Sequence, residues 1–402
     1  MGQTAEEAVK DPTPRPEPAA RFGWRAKAVL LASTLLLLLL VDVAAARVYR
    51  MVTGHPWPAG NPARVYRIPA DPYHHGLLAN YSTDGAAWGG NYPFRTNSLG
   101  FKDAKVREVP LVPAGRRIVV IGDSFTEGVG VPYEETFAGR IGSALLPSGV
   151  EVLNAGVQSY TPIIHYRKIR HFLETGLRID EVVVAVDESD VRNELEYHLV
   201  GDVVRPASLR DRLAETLRTN SIVMWTIVDR LTADSYIEVN VAGVAGALSA
   251  RDATRLDSDA EIETALRKLP TVGQMTWPND EHLNASTEAG VKSMIENMDR
   301  LLGVLKARGI ALTVVVYPWP DQVVAGDPDC RHVRTWREWC RKNGVRFVDA
   351  FPKFEVGSSW KRRAEILDTC YILGDAHFNT EGHRRIAEAI LEAMPEASPP
   401  PK

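Results

Sequence analysis

Cysteine is scarce in this chain: 3 residues among 402 are too few for a disulfide framework. Basic charge is not in excess either. Lys and Arg number 47 against 51 Asp and Glu, the formal net charge is −4 and the pI is near 6.2, so there is no sign of the basic face that nucleic-acid binding requires. Phosphate loops are missing. Gly128-Val129-Gly130 has a superficial likeness to one, but no Lys-Ser or Lys-Thr follows and no dinucleotide spacing surrounds it, which rejects a nucleotide site. His74 and His75 are adjacent, yet no acid or cysteine cluster completes a metal set around them. No metal or organic cofactor is implied, and there is no internal repeat.

Apolar residues, by contrast, are plentiful: at 45% hydrophobic the chain can bury a substantial core. Residues 28–46 are apolar except for Ser33, Thr34 and Asp42, and include six consecutive leucines at 35–40. At about 1.5 Å per residue they reach about 28 Å, the thickness of a bilayer core. Arg21, Arg25 and Lys27 stand just before the run, which by the positive-inside rule puts residues 1–27 in the cytoplasm and the bulk of the chain outside it, in the periplasm or the extracellular space. A cleaved signal peptide is the rival, since Ala44-Ala45-Ala46 fits a cleavage site; the length of the preceding region favours an anchor. A domain outside the cytoplasm meets oxidising conditions. Cys330, Cys340 and Cys370 then fit one disulfide and one free thiol, with the pairing left open and burial the default for all three.

The remainder divides by composition. Residues 1–20 are polar and proline-bearing and read as a disordered tail, like 395–402 at the other end. Residues 47–115 are rich in Pro, Gly, Tyr and Trp and read as an extended lead-in without helix. From Arg116 to Met394 short apolar strands alternate with helical patterns: strands at 117–121, 151–154, 181–186, 311–317 and 345–348, with helices at 137–145, 162–174, 287–308, 329–343 and 380–394. Five strands joined by crossover helices imply an α/β domain with a doubly wound, flavodoxin-like parallel sheet. The alternation breaks over about 191–286, an insertion in which 210–231 looks helical and Met275–Leu283 reads as loop. Trp277 in that loop is a candidate for substrate contact.

Chemistry concentrates at strand ends. The run Ile118–Ile121 ends abruptly in Gly122-Asp123-Ser124, where a sharp turn lifts one hydroxyl above the carboxyl edge of the sheet. Gly374-Asp375-Ala376-His377-Phe378-Asn379 precedes the last helix. A serine hydroxyl is a feeble nucleophile until a base takes its proton, and His377 is the histidine placed by motif to do so. Alone, a GDS turn is a weak signal. The set in chain order is much stronger: GDSF after the first strand, Asn154-Ala155-Gly156 after the second, Asp187-Glu188-Ser189-Asp190 after the third, Asp-x-His-x-Asn before the last helix. In these residues the chain resembles the SGNH, or GDSL-type, esterase superfamily, over roughly 116–394 apart from the insertion. Thr96–Asp103, TNSLGFKD, also resembles the lead-in of a bacterial subgroup.

The resemblance implies Ser124 as nucleophile, His377 as base and Asp375 as the acid that orients it. Many members place the acid three residues before the histidine, where this chain has Gly374; the two-residue spacing is similar to that of periplasmic polysaccharide O-acetyltransferases, which share GDSF. Asp349, at the end of a later strand, is the alternative acid. The oxyanion hole implied by the family is the N–H of Ser124, the N–H of Gly156 and, at the position usually held by asparagine, Ser189, with Asn193 as the alternative to Ser189. Asp123 is expected to bond backbone amides in its turn, and His383 to pack or cap. Trp319, after the strand at 311–317, stands either against a sugar face or in the core. The expected activity is that of a serine esterase removing a short acyl group, such as acetate, from an envelope carbohydrate through an acyl-enzyme. Acyl transfer on the same fold, or carbohydrate binding without turnover, are the alternatives.

Overall fold

The computed structural model describes residues 23–53, 67–70, 72–87, 91–198, 221–223, 249–272, 277–278 and 284–394. Both expected tails, and the helical pattern at 210–231 apart from 221–223, lie outside these.

A 30-residue helix, α1 (Trp24–Thr53), comes first. Its stretch Trp24–Tyr49 is long and apolar enough to cross a membrane, and it extends beyond both ends of the apolar run. The lead-in that follows is more regular than its composition suggests. It forms two antiparallel pairs, β1 (Arg67–Ala70) with β2 (His74–Leu77) and β3 (Ser82–Ala87) with β4 (Asn91–Arg95). Phe94 and Phe101 from this region are fully buried in the main core, so the lead-in is packed into the domain.

The sheet is parallel and five-stranded: β5 (Arg117–Ile121), β6 (Glu151–Asn154), β7 (Glu181–Val186), β8 (Ala311–Val316) and β9 (Arg346–Asp349), in the order β6-β5-β7-β8-β9. Every residue of β5 and β7 is buried, which is why these strands read as continuous apolar runs and not as alternating patterns. The order reverses at β5, and in open α/β sheets the crevice at such a switch point, above the carboxyl ends of the strands, is where sites form. Crossover helices cover both faces: α2 (Ser124–Glu127), α3 (Phe137–Leu145) and α4 (Pro162–Glu174), then, between β7 and β8, α5 (Asp190–His198), α6 (Ala250–Ala253), α7 (Asp259–Leu266) and α8 (Ala285–Lys306). The last four are α9 (Pro320–Ala325), α10 (Arg331–Asn343), α11 (Trp360–Cys370) and α12 (Thr380–Ala393). Neither α9 nor α11 was expected from the sequence.

The expected disulfide is absent. Cys330, Cys340 and Cys370 are buried free thiols, and burial raises all three, Cys330 to about 11 and Cys340 to about 12. They behave as small apolar residues in the core.

Candidate active site

The turn after β5 depends on close backbone approach. A Cβ on Gly122 would stand 2.1 Å from Thr126 Oγ1 and 2.9 Å from the carbonyl of Ala185, so only glycine lets β5 turn directly into α2. Asp123 then caps that helix: its Oδ1 accepts the N–H of Phe125 at 2.9 Å. This puts Ser124 on the first turn of α2, almost buried, at the carboxyl edge of the sheet.

Residues more than 250 positions later complete the arrangement. His377 Nε2 lies 2.8 Å from Ser124 Oγ, and His377 Nδ1 lies 2.5 Å from Asp375 Oδ1. Asp375 Oδ1 also accepts the N–H of His377 at 3.0 Å, so the two-residue spacing closes a tight turn that presents the carboxylate to the ring. The loop is anchored by its neighbours. Asn379 caps α12 by accepting the N–H groups of Glu381 and Gly382, and its amide donates to the carbonyls of Thr369 and Tyr371. Asp349 is elsewhere, bonded to Arg337 and to the N–H of Phe351, which removes it as the alternative acid.

Asp123 does more than cap. Its Oδ2 is 3.3 Å from Ser124 Oγ, and the Tyr317 hydroxyl lies 3.1 Å from its Oδ1 and 3.2 Å from Asp187 Oδ2. Burial, then the charge of Asp187, raises the Asp123 carboxyl well above its usual range. Burial and Asp187 do the same to Asp190, and burial with Asp123 raises the Tyr317 phenol.

Two of the expected oxyanion donors are otherwise engaged. The Ser189 hydroxyl donates to Asp187 Oδ1 at 2.8 Å, as does the Ser189 N–H at 2.7 Å: a short side chain two residues from a carboxylate closes locally. The Gly156 N–H donates to Asn154 Oδ1 at 3.0 Å. Gly156 is required for a different reason, since a Cβ there would stand 2.6 Å from Thr126 and 2.7 Å from the N–H of Glu127. Asn193 is buried one turn into α5, with no hydrogen bond from its amide to the triad among the described residues. The N–H of Ser124 has no acceptor among the described residues.

One residue escaped the sequence reading altogether. Ser159 has φ +64°, a left-handed backbone that serine rarely adopts. Its flanks are pinned to the nucleophile turn: the Gln158 N–H donates to Glu127 Oε2 and the Val157 N–H to the carbonyl of Gly122. The Ser159 N–H itself has no partner among the described residues. A glycine there would have signalled the turn; a serine gives no sequence cue.

The aromatic residues divide. Phe125 lies 4.8 Å from the His377 ring and 5.4 Å from that of Trp319, centre to centre, and the buried Trp319 indole N–H has no partner among the described residues. Trp319 and His377 thus pack against the same ring, that of Phe125. Trp277 is turned inward instead: it is 5% exposed, its indole N–H donates to the carbonyl of Glu188 at 2.7 Å and its ring meets His332 edge-on, so it has no open face for a substrate. His383 packs as expected, accepting the N–H of Phe137. His74 and His75 bond each other through Nδ1 at 2.8 Å, and His75 Nε2 donates to the carbonyl of Gln158, tying the lead-in to the loop that carries Ser159. Among the described residues no three His, Cys, Asp or Glu side chains are placed to hold a metal ion.

No family model matches the chain and no curated protein matches it. Solved structures do. A lipolytic protein of the G-D-S-L family from Desulfitobacterium hafniense DCB-2 is similar at 12% identity and TM-score 0.36, covering 70% of this chain and 100% of that one. The acetylxylan esterase Axe2 from Geobacillus stearothermophilus is similar at 12% identity and TM-score 0.34, over 71% of this chain and 96% of its own. The psychrotrophic esterase EstA from Pseudoalteromonas sp. follows at 10% identity and TM-score 0.33, covering 69% of this chain and 96% of that one.

Proposed function

We propose that this protein is a serine esterase, held to the membrane by α1 with its catalytic domain on the outer side, that cleaves a short acyl ester, O-acetyl on an envelope carbohydrate, through an acyl-enzyme. The observation that carries the reading is the unbroken hydrogen-bond chain from Ser124 Oγ through both ring nitrogens of His377 to Asp375. That is the arrangement by which a neutral hydroxyl becomes a nucleophile. Its Nδ1 hydrogen-bonded to Asp375, the ring keeps Nε2 free to accept, and the carboxylate stabilises the imidazolium once the proton has moved.

The steps follow from these positions. Ser124 Oγ attacks the ester carbonyl while its proton passes to His377 Nε2. The carbonyl oxygen becomes an anion, for which the N–H groups of Ser124 and Ser159 serve as donors; preorganised main-chain donors of this kind need no reorientation as charge develops. Collapse of the intermediate breaks the ester C–O bond, and His377 gives its proton to the departing alcohol. Water, deprotonated by the same ring, then attacks the acyl-Ser124 ester and releases the acid. If a sugar hydroxyl replaces water in that last step the enzyme is an acyltransferase, and the two-residue spacing of Asp375 and His377 is what favours this second reading.

Acetate release from an O-acetylated oligosaccharide by the full chain in detergent tests the assignment. It is expected for the wild type and lost in Ser124→Ala. Acetyl transfer to added oligosaccharide that outruns release to water would make the transferase the function. Folded protein that does neither, while retaining polysaccharide binding in Ser124→Ala, would replace both readings with that of a binding protein.

A further inference from the structure

Four oxygen-bearing groups crowd the inner side of the nucleophile: Asp123, Asp187, Asp190 and the Tyr317 hydroxyl, all buried. They approach from separate elements. Asp123 ends the β5 turn, Asp187 follows β7, Asp190 opens α5, and Tyr317 follows β8. The Asp190 carboxylate also takes a bond, at 3.3 Å, from the N–H of Asp187. Tyr317 lies within hydrogen-bond distance of both Asp123 and Asp187, but a phenol has one proton to give. Two ionised carboxylates on one phenol, in a buried site, would leave one of them facing a lone pair, and like charges this close do not both ionise.

The hydrogen bonds identify which carboxyl keeps the proton. Asp187 Oδ1 receives two donors from Ser189 and its Oδ2 faces Tyr317, so its charge is solvated by protein. Asp123 receives one main-chain donor on Oδ1, shares the single Tyr317 proton with Asp187 on the same oxygen, and its Oδ2 faces Ser124 Oγ at 3.3 Å, a hydroxyl whose proton is held by His377. We propose, resting on the hydrolase reading above, that Asp123 works as a neutral carboxylic acid, and that its neutrality leaves His377 as the sole acceptor for the Ser124 proton. An ionised Asp123 would compete with His377 Nε2 for that proton and would set a negative charge beside the oxyanion as it forms. The Ser189 that stands at the family's asparagine position has its place in this account: it holds the charge on Asp187 and so keeps the proton on Asp123.

The test measures the labelling rate of the full chain by a fluorophosphonate probe as a function of pH. In the wild type the rate falls on the alkaline side as Asp123 ionises. In Asp123→Asn, which keeps the Oδ1 acceptor for Phe125 but cannot ionise, the alkaline fall disappears. In Asp187→Asn, which removes the charge that holds the proton on Asp123, the fall moves to lower pH. An infrared difference spectrum between wild type and Asp123→Asn at neutral pH gives a second, label-free readout: a neutral carboxyl band is expected to vanish in the variant. A carboxylate band in its place, or an alkaline fall unchanged in Asp123→Asn, overturns the proposal. Absence of labelling in every form strikes the hydrolase reading instead, and the infrared band still decides the protonation of Asp123.

Discussion

At the scale of single residues, the meeting of Ser124 and His377 was legible because their motifs sit directly against strong elements, a fully buried strand before Ser124 and a capped helix after His377. Asp375 was legible too, once the short loop is seen to fold the carboxylate back on the ring. The oxyanion hole was not. Which of Gly156, Ser189 or Asn193 donates depends on local closures, Ser189 onto Asp187 and Gly156 onto Asn154, that residue type does not reveal. Two substitutions follow from this. Asp375→Asn is expected to lower kcat by about 10³–10⁴, the scale set by losing the acid of a triad, while Asp349→Asn leaves kcat within about threefold; equal effects would contradict the triad as assigned. Ser189→Ala is expected to cost less than about tenfold in kcat, whereas removing a genuine oxyanion donor costs about 10²–10³. Steady-state hydrolysis of a small acetyl ester separates the two.

At the scale of elements, the five sheet strands and the helices expected at 137–145, 162–174, 287–308, 329–343 and 380–394 matched their sequence patterns within a few residues. The lead-in did not, and the reason is physical: strands such as Asn91–Arg95 are four to six residues long and carry Pro or Gly, features that weaken any strand pattern. What fixes them is tertiary. Lys102, 1% exposed, reaches across to donate to the carbonyls of Gly128 and Val131 at 2.7 and 2.6 Å, with its ammonium over the rings of Tyr92 and Phe94. Gly128 is the residue that ends the nucleophile helix. Lys102→Met takes the charged donor from both carbonyls and leaves that of Gly128 only the 3.4 Å bond from the Val131 N–H, and a loss of about 3 kcal/mol in urea unfolding is expected, the scale of hydrogen bonds from a charged donor; a change under about 0.5 kcal/mol would mean the lead-in is a passenger.

A second buried lysine gives a pH signature at the same scale. Lys168 on α4 donates to the carbonyl of Ala155 and to the Tyr160 hydroxyl, and burial pulls it down to about 7. Above that value the folded chain has released a proton that the unfolded chain, with an ordinary lysine near 10.4, still holds. The unfolded state therefore binds more protons between about pH 7 and pH 10, and stability rises with pH in that window. Lys168→Met is expected to flatten that rise; urea midpoints at the two ends of the window measure it.

At the scale of the whole molecule, composition separated a membrane-length apolar helix from an α/β domain, and alternation implied the doubly wound parallel sheet whose order β6-β5-β7-β8-β9 creates the crevice. The insertion between β7 and β8 was legible as a break in the pattern. Its details were not, since nothing in the sequence indicates that Trp277 turns inward to bond the carbonyl of Glu188. The N-terminal helix leads to a further expectation: cells expressing the full chain retain it in the membrane fraction after a high-salt wash, and deletion of residues 1–53 abolishes that retention, as measured by fractionation and blotting. The proposed chemistry turns on whether Ser124 is activated by His377. Fluorophosphonate labelling of the full chain in detergent, read beside Ser124→Ala and His377→Ala, tests this most directly. A labelled wild type and two unlabelled variants are expected; a folded wild type that takes no label, or a label that survives in Ser124→Ala, would overturn the activation of Ser124 by His377.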